Sequence, residues 1–461
     1  MNANLIPVLG RHLAAILGFA IFALLVCGAA PAAGATYYVA QKDPKAADSN
    51  PGTAELPWKD LWFAMQQLGA GDTLLVKAGH YYRHTGKRYE GGFHTARGGT
   101  AEQPITIRAE RGEEVVVMGG PTTTTPPGDF TNPAISAGGN YVIIDGFRIY
   151  GCASLWKVRG CIIRNCEIWG GNDSEFNCCI RMEYAEACLI SNNIVHDVDP
   201  RKPSGGTGGN PGNQPLLMAY DIADCVIEHN EFYNASGGGM ALCLKDNPRN
   251  ITVRFNLFWG RGGGAMGSIQ HTGENVVIRN NVFRDLSLAG ILAHCSLNGM
   301  QVCNNTFRNC RTDIRTWTGG TKNIRIYNNI FTHSDEGQLY MEVEPVGGEA
   351  NRDGALPHVT FLDFNCYCGP ADWVVAYRKV ARSLDAWRAY GTYGFDKQSF
   401  YGDPKFRDAA KGDFRLADDS PCLRSGKDKA TVGAYETGAE QIGIDPAANP
   451  WAGNRMQPKW E

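Results

Sequence analysis

From residue 189 the chain alternates apolar and polar positions in short bursts, each closing on Asn-x-apolar. The bursts are LISNNIV at 189, VIEHNEF at 226, TVRFNLF at 252, VIRNNVF at 277, QVCNNTF at 301 and RIYNNIF at 325. Period two places alternate side chains on opposite faces of a strand. The shared asparagines are Asn193, Asn230, Asn256, Asn281, Asn305 and Asn329, separated by 37, 26, 25, 24 and 24 residues. Two weaker copies, IIDGFRI at 143 and IIRNCEI at 162, precede them. A helical repeat would carry an apolar period of 3.6, and a leucine-rich repeat its regular leucines; these units have neither. The pattern predicts an all-β chain, a parallel β-solenoid whose turns of ~24 residues stack at a strand spacing of ~4.8 Å.

One asparagine per turn has a structural reading, because a side-chain amide both donates and accepts along a stack of its own kind. Cys188 and Cys225 each stand five residues before a ladder asparagine, which predicts one shared column. The segment PRKPSGGTGGNPGN at 200 accounts for the separation of 37 and reads as a loop. A solenoid needs covered ends. Pro57 to Leu68 sets Leu61, Trp62, Met65 and Leu68 at helical spacing, predicting an N-terminal capping helix, and Ser383 to Tyr390 predicts a second short helix. The organisation expected is a signal over 1–35, a cap and first turns over 36–120, central repeats over 121–345, and last turns with a C-terminal cap over 346–461.

Composition changes this picture in three places. Arg11 and His12, an apolar run from Leu13 to Val26 and Ala33-Gly34-Ala35 form a secretory signal, with cleavage expected after Ala35 and a lipoprotein anchor at Cys27 as the alternative. No later stretch approaches the ~18 apolar residues needed to span a bilayer. A formal charge of −3 and a pI near 6.4 give no basic field for nucleic acid. Removing Cys27 from fifteen cysteines leaves fourteen. They fit stacked, partly reduced core thiols at least as well as a disulfide framework.

TYYVAQKDPKAADSNPGTAELPWKDL at 36 followed by GDTLLVKAGHYY at 71 resembles the start of secreted right-handed parallel β-helix proteins of the pectate-lyase-like superfamily. GDPKF at 402, GDFRLADDSPCL at 412 and VGAYE at 432 resemble their close. The resemblance implies a carbohydrate-active protein acting on a polysaccharide, chiefly a polysaccharide lyase, with some hydrolases and epimerases also on this fold; the signal predicts export, and a capped solenoid has no need of a second copy, so a monomer is expected. The chondroitinase B and alginate lyase group is similar in placing a lysine on a central strand, here Lys245. The Glu-x-Glu calcium ligands of that group are replaced by Gly238 and Met240.

Counting back eleven residues from each ladder asparagine aligns Lys245, Gln270 and His294 as an outward polar column. Uronic-acid lyases need a base for the proton α to the carboxylate, charge for the enolate and an acid for the leaving oxygen. Lys245 serves as base only if its pKa falls from the ordinary ~10.4, whereas His294 or His271 would titrate near pH 6.5 unaided. Arg181 and Arg315 are the cationic candidates, with Gln270, Tyr220 and Trp317 set to contact sugar. Calcium could instead be held by Glu183, Asp221 and Asp246, although their spacing matches no metal motif. A lone outward lysine on a solenoid is commonly just solvated. Hydrolysis, which needs two carboxyl groups ~5 to 9.5 Å apart, and a non-catalytic carbohydrate-binding solenoid are the competing readings.

Overall fold

The computed structural model describes residues 34–83, 92–119, 133–171, 178–198, 215–235, 240–260, 269–316, 322–334, 338–341, 359–369, 374–377, 380–390 and 394–457. The signal segment, apart from its last two residues, and the 200–213 loop lie outside these. Among the described residues no helix is long and apolar enough to cross a membrane.

Each full turn contributes three strands to three parallel sheets. One turn runs Ile180–Glu183, Leu189–Ser191 and Ile194–His196; the next runs Leu217–Tyr220, Val226–Glu228 and Glu231–Tyr233, paired in register. Alternation sends one set of side chains inward. Along the first sheet Ile135, Ala153, Ile180, Leu217, Leu242, Ile291 and Ile314 are all buried in one continuous core.

The corner between the second and third sheets explains the asparagines. The residue before each ladder asparagine has positive φ, as at Asn192 (57°), Asn280 (54°), Asn304 (53°) and Asn328 (56°). Asn tolerates this left-handed conformation better than most residues. The ladder residue then turns its amide inward. Asn193, Asn230, Asn256, Asn281, Asn305 and Asn329 are fully buried, each donating Nδ2 to the next Oδ1 at 3.0–3.1 Å. The chain extends to Asn365, whose backbone N donates to Ser399 Oγ at 2.9 Å.

Two residues after each asparagine, Phe232, Phe258, Phe283, Phe307 and Phe331 stack inside with centroids 4.7–5.2 Å apart. Cys188 and Cys225 share their predicted column, with Cys161 one turn earlier, and the described cysteines are free thiols.

Both caps form. Leu61–Gln67 is a helix, N-capped by Asp60, whose carboxylate accepts from Phe63 N at 2.7 Å; Leu61, Met65 and the following Leu68 are buried against the first turn. The second helix is Leu384–Arg388, N-capped by Ser383.

The C-terminal segment then runs back along the corner of the second and third sheets. Gly433 N donates to Asn328 O (2.8 Å), Gly443 N to Phe255 O (2.8 Å), Asn449 Nδ2 to Asn192 O (2.7 Å) and Trp451 Nε1 to Gly146 O (3.2 Å). Near its end Arg455 forks onto both oxygens of Glu231 at 2.7 and 2.8 Å. Arg455 also lies 5.7 Å from the Tyr233 ring, on which the fully buried His196 stacks at 4.8 Å with its Nδ1 bonded to Asp197 at 2.6 Å.

One interior residue breaks the apolar pattern. Asp313 is fully buried, and burial pushes its carboxyl well above the usual carboxylate range; Ser334 and Cys310 lie close enough to offset this in part but are not aligned to bond it. A raised folded-state pKa means stability is fully present below the unfolded value near 4. It is lost at ~1.4 kcal/mol per pH unit as pH climbs toward the folded value. Asp313→Asn is therefore expected to be more stable than the parent at pH 8, with no advantage at pH 4. Urea unfolding at the two pH values checks this; equal midpoints at pH 8 would refute it.

Candidate functional site

The strap occupies the second and third sheets, leaving the outer face of the first sheet as the place to look for chemistry. Two outward columns run along it. One is Ser154, Arg181, Met218, Cys243, Leu292 and Arg315, with the Gln270 backbone in register between Cys243 and Leu292; the other is Trp156, Glu183, Tyr220 and Lys245.

This register corrects the predicted column. Gln270 pairs with Cys243 and Leu292, so it does not continue from Lys245. His271 pairs with Leu244 and Ala293, the column whose neighbouring members are buried in the core, and His294 follows Ala293. Lys245, Gln270 and His294 therefore form no single stripe. Counting from the asparagines misleads because the corner between the first two sheets varies in length. The residue in this register precedes its asparagine by eleven at Met182 and Ala219, twelve at Leu244 and Ala293, and ten at His271. An irregularity between His271 and Gly273 absorbs the difference.

What the register does bring together is Arg181, Glu183, Tyr220 and Lys245. Arg181 donates Nε and Nη2 to Glu183 Oε2 at 3.1 and 2.9 Å, and its guanidinium lies 5.0 Å from the centre of the Tyr220 ring on the next turn. Tyr220 stands beside Lys245 in turn. Burial pushes the Tyr220 phenol up, partly offset by Arg181, so Tyr220 is a proton donor at neutral pH. Lys245 is half-buried and carries no ion pair among the described residues.

Arg315 lies five turns from Arg181 along its column, about 24 Å at ~4.8 Å per turn. It therefore cannot share one sugar residue with Arg181. Trp317 lies outside the described residues.

The calcium candidates do not gather. Glu183 is taken by Arg181, and Asp221 and Asp246 sit one per turn at the corner with φ of 48° and 53°. Among the described residues no group of three His, Cys, Asp or Glu could hold a metal.

Two features escape the sequence reading. Cys152, Cys178, Met218 and Cys243 form a buried sulfur cluster on this outer face, with Tyr220 against it. Burial pushes the Cys243 thiol up to about 11. The second feature is at the corner that follows the strands, where Lys157 and Tyr184 occupy the positive-φ position (both 51°) that Asp221 and Asp246 fill on later turns. A repeat-by-repeat comparison of corner residues would have found them.

A cavity of about 750 Å³ lies elsewhere, between the strap and the early turns of the second sheet. Part of its charged lining is held by ion pairs: Asp145 accepts from Arg108 Nε at 2.9 Å and from Arg164 Nη2 at 3.0 Å, and Glu110 and Glu113 pair with Lys77 outside the lining. It is a seam of the fold.

Comparison with known proteins bears on the architecture. A family model described as NosD, periplasmic copper-binding protein, matches residues 134–342. The Bacillus subtilis (strain 168) protein named "Uncharacterized protein YwoF" is 23% identical over 457 residues, covering 82% of this chain and 90% of its own. The solved structure of pectate lyase Pel9A matches with a TM-score of 0.52 at 17% identity, over 88% of this chain and 96% of that one. A PL6-family alginate lyase, AlyGC, matches with a TM-score of 0.44 at 14% identity, over 86% of this chain and 58% of that one. Among the described residues no group of three His, Cys, Asp or Glu is placed to hold the copper of the NosD description, the clustered cysteines included, although sulfur is a soft donor. Three parallel sheets, an inward asparagine ladder and a near end-to-end match to Pel9A give this chain the right-handed parallel β-helix fold.

Proposed function

We propose that this protein is an exported polysaccharide lyase that cleaves a uronic-acid-containing chain by β-elimination on the outer face of the first sheet. The observation that carries the reading is the juxtaposition of Lys245, without an ion pair among the described residues, and Tyr220, braced by Arg181, on the face the strap leaves uncovered. In this reading the Lys245 amine removes the proton α to the uronate carboxylate. The electron pair passes through the enolate into a C4–C5 double bond, the C4–O bond breaks, and the Tyr220 phenol protonates the departing oxygen. Arg181, its direction fixed by Glu183, supplies positive charge beside the enolate. His271 and His294 drop out of the lead role because neither shares the Lys245 column. A hydrolase would need two free carboxyl groups across the cleft, and Glu183, in register with Tyr220, is held by Arg181.

The test is absorbance near 235 nm, where the unsaturated product absorbs, with alginate, polygalacturonate, chondroitin and hyaluronan. Each is run with calcium and with chelator, since calcium is part of the expectation. A rise with one chain names the substrate. New reducing ends without the chromophore would instead mark a hydrolase, and neither signal would leave a binding solenoid.

A further inference from the structure

The corner beside the proposed site carries side chains that the fold does not ask for. On successive turns this corner requires positive φ, and Asp221 and Asp246 meet the requirement with a residue type that tolerates it. One and two turns before Asp221 the same position is held by Tyr184 and Lys157. An aromatic ring at positive φ is strained, and such strain persists where something else holds it or uses it. Tyr184 is 52% exposed and the neighbouring Trp156 is 56% exposed, whereas the rings of the Phe232 to Phe331 ladder are fully buried. Between them the Lys157 ammonium lies 4.6 Å from the Trp156 ring and 5.9 Å from the Tyr184 ring. It has no ion pair among the described residues.

We infer that Trp156, Lys157 and Tyr184 form a binding platform for an acidic saccharide, the rings stacking on the apolar faces of sugars and Lys157 receiving a carboxylate. The inference rests on the polysaccharide reading for its ligand class and not on Lys245 chemistry. Its placement supports it. Trp156 heads the column that passes through Glu183 and Tyr220 to Lys245, three turns or about 14 Å away at ~4.8 Å per turn. A polymer lying along the helix axis would cover platform and site together. The single unpaired cation between two exposed rings selects an anionic chain over a neutral one.

The test is electrophoresis of the full chain through gels containing polygalacturonate, alginate, hyaluronan or neutral dextran. The expected result is retardation by at least one acidic chain and not by dextran, weakened about tenfold (~1.4 kcal/mol) in Trp156→Ala and in Tyr184→Asn. Lys157→Asn should remove most of the salt dependence. Tyr184→Asn carries its own control for folding, since asparagine relieves the strain and the variant should melt no lower than the parent. Retardation by no acidic chain, equal retardation by dextran, or undiminished retardation of the Trp156→Ala, Tyr184→Asn double variant would overturn the platform. Retardation that Trp156→Ala weakens, without any 235 nm product, would uphold the platform while sinking the elimination.

Discussion

Asn281→Leu is expected to lower the unfolding free energy by about 4 kcal/mol, enough to melt a marginal domain. The Asn281 amide donates to Val253 O, Arg279 O and Asn305 Oδ1, each at 3.0 Å, and its Oδ1 accepts from Asn256 backbone N at 2.9 Å and Asn256 Nδ2 at 3.0 Å. Leucine fills similar space but leaves all five partners buried and short of a bond. Each such group costs ~1–3 kcal/mol, and the sum is reduced because neighbours share the loss. The control is Asn298→Ala. Asn298 accepts from Asn323 Nδ2 at 2.8 Å in an exposed ladder, where water replaces the partner and the loss should stay within ~0.5 kcal/mol. Denaturant midpoints for the two variants decide it. Equal, small losses would mean that the inward ladder is a consequence of the coil and not a cause of its stability.

That ladder was legible in the sequence because its corner has constant length. From Asn256 to Asn329 one αL residue and one inward amide recur every 24 or 25 residues, so sequence spacing and spatial register coincide. The capping helix at Leu61–Gln67 was legible for the same reason, since its apolar spacing and the Asp60 cap both lie within a single local segment. The first sheet was not legible. Its corner takes up insertions, as between Leu244 and Asn256, and a one-residue slip there moves a side chain from the outer face to the core. Arg181 and Tyr220 keep their expected places because the corner after Met182 and after Ala219 has one length, eleven residues to each asparagine. His271 was lost to the slip.

The burial of outward residues was also invisible. Glu231 looks like a solvated strand residue, yet Arg455, 224 positions away, forks onto it, and Trp259 Nε1 donates to it at 2.8 Å. No local pattern announces a strap. Its course has a functional consequence, because it leaves the first sheet as the face where a long polymer can lie against the coil.

Lys245→Ala should abolish the 235 nm signal on whichever chain gives it, a loss of at least about 10³-fold, at the middle of the range that a positioned acid or base contributes. The geometry lets this be separated from structural damage. Lys245 ends the strand Leu242–Lys245 facing outward, half-buried and without an ion pair among the described residues, so its removal leaves no buried charge behind and should shift stability by under ~1 kcal/mol. Its neighbours give a graded comparison. Tyr220→Phe keeps the ring that Arg181 covers at 5.0 Å and removes only the donor, so it should lower turnover while sparing the melting temperature. Arg181→Gln frees Glu183 beside the site and should damage binding and turnover together, because the ring loses its brace and the substrate meets an uncompensated carboxylate. If Lys245→Ala retains full activity, the base lies elsewhere on the coil, and the histidines at 271 and 294 return as the first substitutions to make. A Tyr220→Phe variant that fails alongside a fully active Lys245→Ala would assign the face correctly and the base wrongly.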